Sequence, residues 1–204
     1  LDEDSHSYFE REVHKTRKLS HENLVSIYDL HTFPSEQPFL TMELIDDGHN
    51  LKTERLSREG GVFSWEELQP IVRQLCNVVS YIHEKGIVHR DIKPANVILT
   101  NKGQVKLGDF GCARSMIQSR FTLNQLAKKP GRPLIGTMVY MSKQTLYSEK
   151  PSAADDIYSI GAMLYELLTG QTPFSRELSQ EQLKEEIIDT DPLPPGVVLE
   201  EQGK

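Results

Sequence analysis

The strongest constraint on this fold is a pair of short polar segments set either side of a hairpin signal. Residues 89–96 read His-Arg-Asp-Ile-Lys-Pro-Ala-Asn, and Asp109-Phe110-Gly111 begins thirteen residues beyond Asn96. Between them, the runs 97–99 and 104–107 flank Asn101-Lys102-Gly103, residues that tolerate the positive φ of a tight turn between antiparallel strands. The two polar segments therefore belong to neighbouring turns. Together they supply a carboxylate suited to a hydroxyl proton, an ammonium suited to a phosphate, and an amide and a second carboxylate suited to a hard metal ion. Such parts fit phosphoryl transfer, where the protein mainly positions groups and neutralises charge.

Two helices frame this centre. Over 64–85, Ser64 and Glu67 form a capping box, and Leu68, Ile71, Val72, Leu75, Val78, Val79 and Ile82 recur at helical spacing until Gly86. Pro70 conflicts with that pattern, because it removes a backbone donor and is expected to kink the first turns. Over 152–169, a Ser152-x-x-Asp155 start precedes Ile157, Ile160, Leu164, Leu167 and Leu168, and Gly170 ends the run. Residues 4–19 read as a polar helix with a narrow stripe of Phe9, Val13 and Leu19. Residues 24–30 and 39–45 read as short strands, 112–135 as a long loop, and 176–189 as an amphipathic helix. The Pro-rich tail 191–204 is expected to be without a partner and disordered.

Composition excludes several classes. A net charge of −7, from 30 acidic and 23 basic residues, argues against a general nucleic-acid binder. Cys76 and Cys112 show neither metal spacing nor a disulfide framework, so a reduced cytoplasmic setting is expected. No signal peptide and no apolar run of about 18 residues occurs, so no membrane segment is expected in this chain.

On residues 89–96 and 109–111 the chain resembles the protein kinase family, of the serine/threonine type, from about Phe9 to about Leu178. The phrases Gly-Thr-x-x-Tyr-Met-Ser and Ala-Asp-Asp-Ile-Tyr-Ser-Ile-Gly are similar to its bacterial members. The resemblance implies an α+β, protein-kinase-like fold: a mainly helical C-lobe over 46–190, a truncated N-lobe over 1–45, and the tail 191–204. Neither a Gly-x-Gly-x-x-Gly loop nor a strand lysine of the Val-Ala-Ile-Lys type is present, so the chain reads as a piece with weak catalysis by itself and marginal solubility.

The resemblance also implies roles. Asp91 is the expected catalytic base and Lys93 the stabiliser of the transferred phosphate, while Asn96 and Asp109 are the expected Mg²⁺ ligands beside ATP. Thr137, in Gly136-Thr137-Met138-Val139-Tyr140-Met141, is expected to bridge Asp91 and Lys93 next to a Ser/Thr protein substrate. Met42 would be the gatekeeper, and backbone groups of Glu43 and Ile45 would hold the adenine edge. Glu12 matches the acid that pairs with the strand lysine, and is expected unpaired here. Arg90 would clamp a phosphate on the loop 112–135, with Ser115, Ser119 and Thr122 the expected acceptors. His89 and Phe110 would pack in a hydrophobic column, and Asp156 would hold the backbone of the catalytic loop. Ser142-Lys143-Gln144 departs from the family's Ala/Ser-Pro-Glu. That departure, with the missing loop and lysine, keeps a non-catalytic binding module open as the alternative. A small-molecule phosphotransferase is disfavoured by Lys93 and the Gly136-Thr137 loop.

Overall fold

The computed structural model describes residues 13, 16–31, 39–109, 135–147 and 150–203. Helix α2, Trp65–Glu84, forms where the capping box and the periodic stripe predict it: Ser64 accepts from the Glu67 N–H, and the Glu67 side chain accepts from the Ser64 N–H. Its apolar stripe is fully inside, with Leu68, Leu75, Val78 and Ile82 at 0% exposure. Each such side chain contributes roughly 1.5–3 kcal/mol on burial. The helix runs unbroken through Pro70; with Pro70 and Glu66 both exposed, water meets the Glu66 carbonyl that the missing N–H leaves. Helix α5, Ala153–Thr169, lies beside α2 and ends at Gly170, whose φ of 77° is the left-handed cap that glycine favours. Within α5, Ile157 is 56% exposed rather than in the core, while Ile160, Met163 and Leu167 are buried.

Short elements come before and between these helices. Strands β1, Ile27–His31, and β2, Phe39–Met42, pair antiparallel by themselves. Strand β3, Gly48–Asn50, joins β4, Val97–Thr100, and β5, Val105–Leu107, in an antiparallel sheet ordered β3-β4-β5. Helix α1, Leu51–Leu56, follows β3 directly, capped by the Asn50 side chain accepting from the Thr53 N–H. Neither β3 nor α1 was expected from the sequence. Gly48 lies where a Cβ would fall 2.5 Å from Ile98, so only glycine lets β3 pack this closely on β4. The β4–β5 turn at 101–103 forms as expected, with Gly103 at φ 75°.

After β5 come α3, Ile135–Met138, α4, Lys143–Leu146, α5 and α6, Gln180–Asp189. The tail departs from expectation: Pro195–Glu201 forms helix α7 on α5, with Val198 buried and the Gln202 amide donating to the Thr169 carbonyl at 3.1 Å. Proline at the first turn favours that helix, because its missing N–H would be unpaired there anyway. Among the described residues of the expected first helix, Val13 and Thr16 are buried in one turn. Phe9 and Glu12 lie outside the described residues, as do Phe110, Cys112 and the expected phosphoacceptors at 115, 119 and 122. Among the described residues, no helix is long and apolar enough to cross a membrane.

Candidate active site

The catalytic segment is held from below by one buried carboxylate. Asp156, fully buried in the first turn of α5, accepts the backbone N–H groups of His89 and Arg90 at 2.8 Å each, and sits 2.8 Å from His83 Nε2. Arg90 takes a φ of 69°, a left-handed conformation costly for a long side chain, and the Asp156 bond secures it there. His89 is buried. Its Nε2 lies 3.0 Å from the Gly108 carbonyl, while Nδ1 accepts from the Asp91 N–H at 3.3 Å. Those partners fix the Nε2–H tautomer. Burial pushes the imidazole below its ordinary pKa against the pull of the Asp156 carboxylate and the Gly108 carbonyl, so the ring is neutral and structural.

Beyond Arg90, alternation places Ile92 and Pro94 in the core and leaves Asp91 and Lys93 half-exposed on the other side. Lys93 Nζ lies 2.8 Å from Asp91 Oδ2, and Asn96 Nδ2 donates to the same oxygen at 3.0 Å and to the Asp91 carbonyl at 2.8 Å. The turn Pro94–Asn96 then feeds β4. The β4–β5 ladder extends one step further, with the Gly108 N–H donating to the Asn96 carbonyl at 2.9 Å. Asp109 follows at once, exposed and at φ 52°. Asp91, Lys93 and Asn96 are thus bonded together, and Asp109 follows the residue whose N–H meets Asn96.

Thr137 is not bonded to this set among the described residues. It lies half-buried in α3, and among the described residues its hydroxyl makes no hydrogen bond to Asp91 or Lys93. The segment after it is anchored to α5 instead: Ser159 donates to the Tyr140 carbonyl at 2.8 Å, and the Tyr140 hydroxyl donates to the buried Glu166. Arg55 and Arg176 pair with that same carboxylate at 3.2 and 3.1 Å. Burial and then the Glu166 charge push the Tyr140 phenol well above its usual pKa, so it remains a donor. Ser142 is buried and donates to Asp155, while Gln144 is exposed.

The hinge residues follow β2. Met42 is 43% exposed, and the Glu43 N–H donates to the Ser26 carbonyl at 2.8 Å. Ile45 lies half-buried, close to where a Cβ on Gly48 would stand. Sequence reasoning missed two features. One is the Glu166 cluster, whose only sign was an acid within an apolar helix. The other is Lys106, which pairs with Glu43 at 2.7 Å. A lysine between Val105 and Leu107 in a short apolar strand was the available signal.

Comparison with known families decides the assignment: the protein kinase domain matches residues 2–195. This chain belongs to the protein kinase family. It is 35% identical, over 92% of its length, to a probable serine/threonine-protein kinase PknB of Corynebacterium glutamicum, covering 28% of that relative. A probable serine/threonine-protein kinase of Streptomyces coelicolor is 39% identical over 81% of this chain and 24% of its own length. Serine/threonine-protein kinase PknB of Mycobacterium tuberculosis is 32% identical over 92% and 29%. The chain therefore spans under a third of the curated relatives it matches. The expected likeness to bacterial serine/threonine kinases is borne out, and so is the α+β kinase fold with few strands ahead of a helical body.

Proposed function

We propose that this chain is the phosphate-handling part of a serine/threonine protein kinase, transferring the ATP γ-phosphoryl group to a protein hydroxyl in the cytoplasm, where ATP is abundant. One observation carries the reading: Asp91 Oδ2 is gripped by both Lys93 and Asn96 in a loop locked from beneath by Asp156. Two donors on a single oxygen orient the carboxylate, as a group accepting a hydroxyl proton in line with the phosphorus must be oriented. Lys93, with its ammonium beside that oxygen, is placed to neutralise charge on the transferred group.

The donor set also fits Mg²⁺. Among the described residues no three His, Cys, Asp or Glu side chains form a metal-holding group, so an ion here has few protein ligands. That suits magnesium, whose octahedron is completed by phosphate oxygens and water. Asn96, whose amide nitrogen is spent on Asp91, would offer its carbonyl oxygen to the ion, and exposed Asp109 would offer its carboxylate. The ion would supply positive charge to offset that of the ATP phosphates. The backbone of Glu43 and Ile45, with Met42 before them, would meet the adenine edge. Thr137 and the segment through Met141 would dock the acceptor peptide, and Ser159 and Glu166 hold Tyr140 of that segment from α5. Glu12 is proposed as the partner of a lysine supplied by a preceding strand.

The test is phosphate transfer by the full-length protein to a basic protein substrate with Mg-ATP. Phosphoserine or phosphothreonine should form, and Asp91→Asn should abolish it. Transfer undiminished by Asp91→Asn overturns the reading, as does Mg-ATP binding without any transfer.

A further inference from the structure

Lys106 is where no surface lysine belongs. Its side chain is 13% exposed, on the face of β5 opposite Val105 and Leu107, which are fully buried. A lysine is buried this far only when its charge is met. Nζ lies 2.7 Å from Glu43 Oε1 and reaches the Leu24 carbonyl at 3.5 Å. The other Glu43 oxygen accepts the Ser26 N–H at 3.1 Å, and the Glu43 N–H returns a bond to the Ser26 carbonyl at 2.8 Å. Burial opposes ionisation of Glu43, and Lys106 with the Ser26 N–H outweighs it, holding the carboxyl below its usual range.

The pair does not stand alone. Residues 23–26 run between the hinge and β5: the Leu107 N–H donates to the Asn23 carbonyl at 2.8 Å, and the Val25 N–H to the Leu107 carbonyl at 2.9 Å. Asn23 is fixed in turn by the Gln74 side chain of α2 at 2.9 Å, and Gln74 also accepts the Val105 N–H at 3.0 Å. A continuous set of bonds therefore joins α2 to β5 and β5 to the hinge. Three residues past Lys106 stands Asp109, roughly 10 Å on along an extended chain. The stretch that ties to the hinge at Lys106 in β5 carries, at Asp109, the carboxylate proposed above for the metal. Apolar side chains in place of both Lys106 and Glu43 would fill the site without desolvating any charge, and such whole-pair swaps are often neutral or stabilising. The pair is better explained by position than by stability.

We infer that Lys106 is a positioning residue for the nucleotide: through Glu43 it sets the hinge backbone at a fixed distance from Asp109, so that base and phosphates bind in one register. This rests on the nucleotide site proposed above. The experiment compares full-length wild type with Lys106→Met, Lys106→Arg and the double variant Lys106→Met/Glu43→Gln, which leaves no orphaned carboxylate if the single change misfolds. ATP KM and kcat are measured, together with hydrogen exchange over 40–48 without nucleotide. Both methionine variants should raise ATP KM about tenfold, the loss of one charge-assisted contact, with kcat little changed and hinge exchange faster. Lys106→Arg should restore both. Unchanged or lower KM in the folded variants overturns the inference. Should the wild type bind no Mg-ATP, the nucleotide site itself fails, and exchange decides Lys106 separately: faster hinge exchange keeps the clamp, and unchanged exchange removes it.

Discussion

The catalytic loop and the β1–β2 hinge region face the same proposed nucleotide, yet they are built to opposite standards. Around 89–97, His89, Ile92 and Val97 are at most 1% exposed, and the loop backbone hangs on a carboxylate at 0%. Across 28–44, Tyr28, Phe39, Met42 and Leu44 are all exposed, Leu44 at 81%, and the outer tie is the solvent-exposed Arg17–Asp29 pair. An exposed pair of that kind contributes about 0–1 kcal/mol. The phosphate end is thus an extension of the main core, and the base end is an edge that leaves four large apolar side chains exposed. Chemistry should be robust to damage at the hinge, and nucleotide affinity should be sensitive to it.

The harshest way to break that contrast is Asp156→Ala. It orphans the N–H groups of His89 and Arg90 and the ring of His83, and releases a strained Arg90 backbone. We expect a loss of about 3–5 kcal/mol in urea unfolding, with transfer activity gone. Leu44→Ser, a change at the other region, should cost less than about 0.5 kcal/mol. Comparable losses for the two would remove the distinction.

Asp91→Asn separates chemistry from affinity within the robust region. Losing a general base typically costs about 10²–10⁴ in rate, while Mg-ATP affinity by calorimetry should hardly move. A milder cut is Tyr140→Phe, which deletes the hydroxyl shared by Glu166 and Arg176. The KM for the protein substrate should rise by about tenfold, the value of one hydrogen bond to a charged group, with ATP KM unchanged. A rise in ATP KM instead would tie the docking segment to the nucleotide end.

What could be read from the sequence divides along the same line. Helix α2 was legible because its cap and stripe agree, and the meeting of Asp91, Lys93 and Asn96 because they lie within six residues of one turn. Ile157 misled for a geometric reason. Neighbouring helix positions differ by about 100° around the axis, so burying Asp156 to hold the loop turns Ile157 outward. Proline content hid α7, since the first helical turn accepts what an interior would not. The Lys106–Glu43 pair joins positions 63 apart and leaves no periodic trace, so only packing reveals it.

The gentlest probe is pH, which reaches the edge through Glu43. Glu43 has a folded-state pKa below its unfolded one, so its contribution is present above the unfolded value and lost as pH falls through the folded one. Acidification through and below the ordinary carboxylate range should therefore speed hydrogen exchange at 40–48, corrected for intrinsic rates; the Glu67 cap of α2 is also held below that range, so the buried middle of α2 serves as the reference. With a quarter of the Glu43 side chain exposed, solvent screens the pair and added salt should shrink the effect further. In Lys106→Met the carboxyl has lost the ammonium that favours its charge, and the acid-dependent step should move up toward the ordinary range. A step at the same pH in wild type and variant would mean that another group loosens the hinge, and the weak end of this molecule would then have a second fastening.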